Sequence, residues 1–262
     1  MENERLRIAD VMKKDFPIES IRSRRNVDRY GNGYPSVTEV LGVLRKVGLE
    51  MWYKHNTAAF CDAESKKGRE IGTQIHTLIQ NYIEGKEPKI ETIYDSEIKT
   101  VVESFALFRK EYPDYKLVRA EQSLFNKEYK YNGTLDCIAT RQLGLKKNKM
   151  ELYVILDWKT GKCKENDKPP LYDEYFAQVA AYVKACEEIE KLGVNQVPVA
   201  ALAVFAKDKV GYNFQLIAMD EIDFYFNEFF LPALKIWNTQ EKMKEIKKIE
   251  AEEAAELAEE KG

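Results

Sequence analysis

The apolar residues of this chain repeat first with a helical period and then with a strand period, and this order limits the folds available. Helices are predicted from Ser36 onward and over 65–84, 95–111 and 171–192, with a last one from Glu221. Strands are predicted over 117–125, 129–140, 151–158, 197–207 and 212–219. Consecutive strands joined by short turns pair antiparallel, whereas a helix between strands makes a crossover. The pattern therefore predicts an α/β fold (mixed α+β) with a central mixed sheet flanked by helices.

The chain has 262 residues, enough for one large domain or two small ones. We expect an N-terminal helical segment over 1–64 that packs on the core, a core over 65–240 and an acidic helical tail over 241–262. The tail carries eight acids and five bases, so the remaining residues have no net charge. The tail is interpreted as a solvated helix end or as a docking segment for a basic partner.

Several protein classes are disfavoured by composition alone. No run of about 18 uncharged apolar residues exists, which argues against a membrane protein. Charged residues occupy the N-terminus where a signal peptide needs an apolar stretch, so a cytoplasmic location is expected. None of the four cysteines forms a CxxC pair, which argues against a zinc ribbon and favours free thiols.

Two groups of basic residues are candidates for nucleic-acid contact, although the neutral body does not itself indicate such a partner. The first contains Arg22, Arg24, Arg25 and Arg29, and the second contains Lys66, Lys67 and Arg69. Solvated loop charges explain either group equally well.

Two aspartates interrupt otherwise apolar strands. Asp136 lies between Leu135 and Ile138, and Asp157 follows the apolar run Leu152–Leu156. A carboxylate at the end of a buried strand is costly unless its charge is compensated, and two of them on consecutive strands would repel each other. A divalent ion such as Mg²⁺ or Mn²⁺ would offset both costs, because oxygen ligands suit these metals.

Lys159 follows Asp157 by two positions, and residues i and i+2 of a strand point to the same side. The ammonium and the carboxylate are therefore predicted to share one face of the sheet, while Trp158 points to the other. An Asp-x-Lys at a strand end can place a cation beside a metal-bound water. A salt bridge that only stabilises the strand end explains the same spacing.

Three further polar residues lie on predicted helices. Gln178 and Tyr182 are four residues apart and share the apolar face of the helix over 171–192, where a buried amide needs hydrogen-bond partners. His76 lies at the edge of the apolar stripe of the helix over 65–84. It is one of only two histidines, which argues against a His-rich metal site and leaves room for one His ligand. Ordinary roles in the core or at its boundary explain each of these residues taken singly.

The order of these residues carries more information than any one of them. Along the chain come Gly72 and His76, then Gly133-Thr-Leu-Asp136, then Asp157-Trp-Lys159-Thr, then Gln178 and Tyr182. Over about residues 65–190 this order resembles the RecB-like branch of the PD-(D/E)XK nuclease superfamily, with its phage-type and mitochondrial genome-maintenance exonucleases. Residues 34–41 and Trp52 are similar to the start of the phage and mitochondrial members. The restriction-endonuclease-like core of that superfamily agrees with the predicted element order.

The resemblance implies a role for each matching residue. Asp136 and Asp157 match the two metal-binding acids, and Lys159 matches the catalytic lysine. His76 matches an additional metal ligand, and the main-chain carbonyl of Trp158 is expected to complete the set. Gln178 and Tyr182 match a motif near the active site or the DNA, where Tyr182 is expected to stack on a base or to contact a phosphate. Glu121 is a further acid near the site.

The implied function is that of a DNA exonuclease that uses one or two Mg²⁺ or Mn²⁺ ions in recombination, repair or end processing, in a phage-encoded setting. Its partners would be single strands or duplex ends, together with a recombination or single-strand-binding protein. Relatives with an iron–sulfur cluster carry three cysteines after the Gln/Tyr helix, and no cysteine follows Cys186 here, so no cluster is expected. A catalytically silent DNA-binding scaffold and an endonuclease of the same superfamily are the alternatives.

Overall fold

A computed structural model describes residues 34–86, 95–144, 150–164 and 167–259 of the protein. Its α-helices are α1 (Val37–Leu41), α2 (Val47–His55), α3 (Ala58–Ile83), α4 (Ser96–Glu111), α5 (Asp173–Ala185), α6 (Met219–Phe224) and α7 (Leu231–Glu259). Its strands are β1 (Lys116–Asn126), β2 (Tyr131–Leu143), β3 (Met150–Gly161), β4 (Gln196–Ala206) and β5 (Tyr212–Ile217). A 3₁₀ turn at Ile189–Lys191 follows α5, and a π-helix at Tyr225–Phe230 joins α6 to α7.

The five strands form one mixed sheet in the order β1-β2-β3-β4-β5. Neighbouring strands are antiparallel except for β3 and β4, which run parallel because α5 carries the chain across between them. Each side of the sheet is covered by helices and has its own apolar core. Both the mixed sheet and its flanking helices agree with the prediction from sequence.

Alternation along β3 divides its side chains between the two cores. Trp158 is buried on the side of α3 and α4, where its ring lies 6.5 Å from that of Phe105. Ile155 is buried on the opposite side, which α5 and α1 cover. Asp157 and Lys159 alternate with Trp158, so they share the opposite face, as predicted, and that face is the one covered by α5.

The segment before α3 is attached to the sheet by backbone and side-chain hydrogen bonds. Ser36 caps α1 in a capping box with Glu39, as its sequence predicts. The backbone N–H of Asn132 on β2 donates to Pro35 O at 2.9 Å, and the Asn132 side chain donates to Tyr34 O at 2.7 Å. These bonds hold α1 against β2 and α5.

Several helix boundaries differ from the prediction, two of them by seven residues. The helix expected over 65–84 begins earlier, at Ala58, where Thr57 caps it. The helix expected over 171–192 ends at Ala185, and Cys186 leaves the helical conformation with ψ of 93°. The reason lies in Glu188, whose carboxylate is bonded to Arg119 at 2.6 Å and to Tyr153 at 2.6 Å on the sheet. These bonds hold the chain next to β1 and β3, away from the helix axis.

The last helix runs without interruption from Leu231 to Glu259. Ile246 and Ile249 are buried, whereas nearly every residue after Ile249 is exposed. Among the described helices, none combines the length and the apolar character needed to cross a membrane.

Candidate active site

Strand pairing brings the two predicted aspartates to one place. Cys137 pairs with Leu156 across β2 and β3, and Asp136 and Asp157 are each the next residue beyond that pair. Both side chains are buried. The backbone N–H of Trp158 donates to Asp136 Oδ2 at 2.9 Å, which fixes that carboxylate at the end of the paired region.

A histidine and a second acid lie beside Asp136. His76 Nδ1 on α3 lies 3.2 Å from Asp136 Oδ1 and 3.4 Å from Glu121 Oε1 on β1. One ligand atom from each of these three residues lies within 4.8 Å of the others. The cluster therefore joins one helix and two strands that are far apart in sequence.

Glu121 has an unusual backbone. Its φ is 51°, in the left-handed region that residues other than glycine seldom adopt. Its neighbours Ala120 and Gln122 pair with Cys137 and Leu135, so Glu121 stands opposite Asp136 on the adjacent strand. Conformations of this kind cost on the order of 1–3 kcal/mol and are concentrated at functional sites.

Asp157 is held by the predicted lysine and glutamine. Lys159 Nζ donates to Asp157 Oδ2 at 2.5 Å, which confirms that the two side chains share one face of β3. Gln178 Nε2 donates to Asp157 Oδ1 at 3.3 Å and to the Tyr182 hydroxyl at 2.9 Å. The four residues form a continuous buried network between β3 and α5.

Gly133 leaves room for this network. A Cβ at Gly133 would lie 2.6 Å from Tyr182 Cε1 and 3.4 Å from Val37 Cγ2. No side chain fits at this position unless the tyrosine ring moves. The glycine of the Gly133-Thr-Leu-Asp136 motif therefore places Tyr182, and through it Gln178.

The ionisable groups of the site strongly shift one another's pKa. Burial and the neighbouring Asp136 carboxylate raise the pKa of Asp157 to about 7, although Lys159 opposes that shift. Burial lowers the pKa of His76, but its hydrogen bonds with Asp136 and Glu121 outweigh burial and raise the pKa to about 10. Burial also disfavours the Lys159 ammonium, yet Asp157 and Asp136 raise the pKa of that lysine. Buried acids are thus balanced by two cations, as expected of a site that exchanges a proton for a metal ion.

The donor set fits a hard divalent cation. The carboxylates of Glu121 and Asp136 and the imidazole of His76 converge within bonding range of one ion, and oxygen-rich sets of this kind suit Mg²⁺ and Mn²⁺. Asp157 lies next to them on the adjoining strand. The main-chain carbonyl of Trp158, which sequence analysis added to the ligand set, lies 3.4 Å from Lys159 Nζ.

One suggested role disagrees with the structure. Tyr182 is only 4% exposed, and its ring is enclosed between Gly133 and the buried face of α5. A nucleic-acid base cannot reach that ring, so the suggestion that Tyr182 stacks on a base is wrong. Its hydroxyl instead accepts a hydrogen bond from Gln178.

The suggested basic surfaces are only partly described. Arg22, Arg24, Arg25 and Arg29 lie outside the described residues. Lys67 is 2.9 Å from Glu97 on α4 and Lys66 is 3.9 Å from Glu70, so each pairs with an acid of its own chain. Arg69 is exposed on α3. Their part in binding nucleic acid remains a prediction.

Sequence analysis missed Tyr175, whose ring centroid lies 5.9 Å from Lys159 Nζ. The signal was present, because Tyr175 precedes Gln178 by three positions and therefore shares its side of α5.

Comparison with known proteins supports this picture at the level of the family. The solved structure described as "Crystal structure of SSO0001" aligns over 80% of this chain and 74% of its own, with 13% sequence identity and a TM-score of 0.30. A comparison with curated proteins gives no match. The family model described as "PD-(D/E)XK nuclease superfamily" matches residues 51–261, most of the chain. On that match, the chain belongs to the PD-(D/E)XK nuclease superfamily.

Proposed function

We propose that this protein is an exonuclease that hydrolyses phosphodiester bonds at the ends of linear DNA with Mg²⁺ or Mn²⁺, in DNA recombination, repair or end processing. Membership of the superfamily indicates a metal-dependent nuclease with DNA as its substrate. The observation that carries the finer proposal is the convergence of His76, Glu121 and Asp136 beside the Asp157–Lys159 pair. The order of these residues resembles RecB-like exonucleases, among them phage-encoded ones.

Each residue has a distinct task in this proposal. His76, Glu121 and Asp136, with Asp157 beside them, would hold the divalent ion, which would supply Lewis acidity toward the phosphate and toward a water. Lys159 orients that water and stabilises the negative charge that develops on the phosphate oxygens. Gln178 keeps Asp157 in place, and Tyr182 in turn keeps Gln178 in place through its hydroxyl.

The test is a cleavage assay with end-labelled single-stranded, linear duplex and closed circular DNA. Each substrate is incubated with Mg²⁺, with Mn²⁺ and with EDTA. We expect metal-dependent loss of linear DNA with circles spared, and the position of the label gives the direction of digestion. Cleaved circles would instead indicate an endonuclease. DNA binding without cleavage would indicate a silent scaffold.

Two lysine variants make the test specific to the site. Lys159→Met keeps the length of the buried side chain and removes its charge, so cleavage should fall by orders of magnitude. Lys127→Ala removes a lysine that is 65% exposed and pairs with Glu187, beyond the end of α5. It should cleave like the unmodified protein. Circular dichroism and thermal unfolding show whether each variant is folded.

A further inference from the structure

Two tyrosine rings between two lysine side chains lead from the active site to the surface. Lys159 Nζ lies 5.9 Å from the centroid of the Tyr175 ring. The rings of Tyr175 and Tyr172 meet edge to face, with centroids 5.3 Å apart. Lys164 Nζ lies 5.1 Å from the centroid of the Tyr172 ring. We call these four residues the lysine–tyrosine row.

The two ends of the row differ in exposure. The Lys159 side chain is mostly enclosed, with 21% of its surface exposed, because it is bonded to buried Asp157. Tyr172 at the other end is 41% exposed, unlike Tyr182 in the core. Part of an aromatic side chain is thus open to solvent where the row leaves the site.

The position of Tyr172 is fixed by its neighbours in sequence. It directly precedes α5, whose first residues are tied to other parts of the fold. Asp173 accepts a hydrogen bond from the Tyr225 hydroxyl at 3.1 Å, and Glu174 accepts one from Lys46 at 2.9 Å. A ring held in advance loses little conformational freedom when a ligand covers it.

The charges around Tyr172 indicate which part of a nucleic acid it can receive. Asp173 and Glu174 follow it directly in sequence. Lys46 pairs with Glu174, so the charge that disfavours a phosphate on this ring is that of Asp173. A neutral base placed on this ring would not be repelled. Lys164 supplies a positive charge over the same ring, suited to the next phosphate along the strand. Aromatic faces interleaved with cations are typical of sites that bind unpaired nucleic acid.

We propose that an unpaired base next to the scissile phosphate stacks on Tyr172 while Lys164 neutralises the adjoining phosphate, so that the site takes its DNA as a single strand. This inference rests on the proposed nuclease function. Bases inside a duplex are covered by their neighbours on both faces, and a terminal pair offers only its outer face. An unpaired base beside the scissile phosphate can turn a face to the ring.

The experiment measures kcat and KM with Mg²⁺ on a short end-labelled single strand and on a blunt duplex. Tyr172→Ala should raise KM for the single strand between about fivefold and a hundredfold, the range expected for loss of one base stack. The value of kcat should change little, because stacking holds substrate and transition state alike. Tyr172→Phe keeps the ring and should behave like the unmodified protein. Lys164→Ala should reduce the salt dependence of binding by about 0.7 in log–log slope, as for one phosphate contact.

An abasic nucleotide separates stacking from general damage. In the unmodified protein, removal of the base beside the scissile phosphate should raise KM as much as Tyr172→Ala does. When both changes are combined, KM should be little higher than after either change alone. The control is Tyr82→Ala, which removes a ring of similar exposure (43%) that contacts Phe105 instead of the row. It should leave KM unchanged.

Three results would overturn the inference while the nuclease function stands. The first is an unchanged KM in Tyr172→Ala, and the second is an equal rise in KM of that variant on intact and abasic strands. The third is digestion of duplex DNA but not of single strands. If the unmodified protein cleaves no DNA under any metal condition, the inference and the proposed function fail together.

Discussion

Replacement of Gly133 by alanine tests whether the backbone of β2 sets the position of the Gln178 network. The new Cβ would lie 2.6 Å from Tyr182 Cε1 and 3.2 Å from Cδ1. The ring has to retreat by about 1 Å to restore an ordinary carbon–carbon contact. It is enclosed by Val37 and by α5, so the displacement strains its surroundings.

The expected change in the free energy of unfolding is the sum of opposing contributions. Overpacking of a buried site costs about 1–3 kcal/mol. Lengthening of the 2.9 Å bond between Gln178 and Tyr182 costs about 1 kcal/mol more. Loss of backbone freedom in the unfolded chain favours alanine over glycine by about 0.4–1 kcal/mol. We therefore expect a net destabilisation of about 1–3.5 kcal/mol, which for a chain of this size lowers Tm by roughly 2–14 °C.

The assay is urea unfolding followed by tryptophan fluorescence, in a double-mutant cycle with Tyr182. In the Tyr182→Ala background the ring is absent, so Gly133→Ala should be neutral or stabilising. In the Tyr182→Phe background the ring remains and the cost should persist. The reasoning is refuted if Gly133→Ala costs the same in the Tyr182→Ala background, or if it stabilises the unmodified protein.

Three further outcomes are expected. Mn²⁺ at a hundred times its Kd should stabilise the protein by about 2.7 kcal/mol in thermal unfolding, and Glu121→Gln should weaken that effect if its carboxylate is a ligand. Arg119 and Tyr153 lower the pKa of Glu188 to about 2, so its stabilising bonds are complete above pH 4.5 and are lost as the pH falls toward 2. Glu188→Gln should therefore cost about 1 kcal/mol at pH 7, allowing for partial solvent screening, and nothing near pH 2 in urea titrations. Truncation after Ile249 should change stability by less than about 0.5 kcal/mol, whereas truncation before Ile246 should cost several times more, because it removes two buried isoleucines.

The parts of the site that sequence analysis predicted are those that depend on local geometry. The Asp157–Lys159 pairing follows from the two-residue period of a strand, and the Gln178–Tyr182 bond follows from the four-residue spacing of a helix. The apolar strand that ends at Asp157 also predicted correctly that the aspartate is buried. None of these inferences needed knowledge of which strands are neighbours.

The parts that residue patterns alone could not predict depend on register between strands. The family resemblance, and no local pattern, indicated Glu121 as an acid near the site. Glu121 meets Asp136 only because the pairing of β1 with β2 shifts between Leu117 and Arg119, upstream of the site. A one-residue difference in that register would send the Glu121 side chain to the other face of the sheet. The end of α5 at Ala185 likewise depends on Glu188, whose partners are distant in sequence.

Several costly features of this fold lie around one cluster. Asp157 is fully buried with a raised pKa, Glu121 adopts a left-handed backbone, and Gly133 gives up a side chain in the middle of a strand. Each feature opposes stability. Glu121 and Asp157 lie next to Asp136, and Gly133 acts on the same network through Tyr182 and Gln178. A fold that optimised only its stability would replace them with apolar or unstrained residues. Their coincidence around one cluster is explained if they position carboxylates for a cation, because a bound ion offsets the repulsion and burial that the free protein must tolerate.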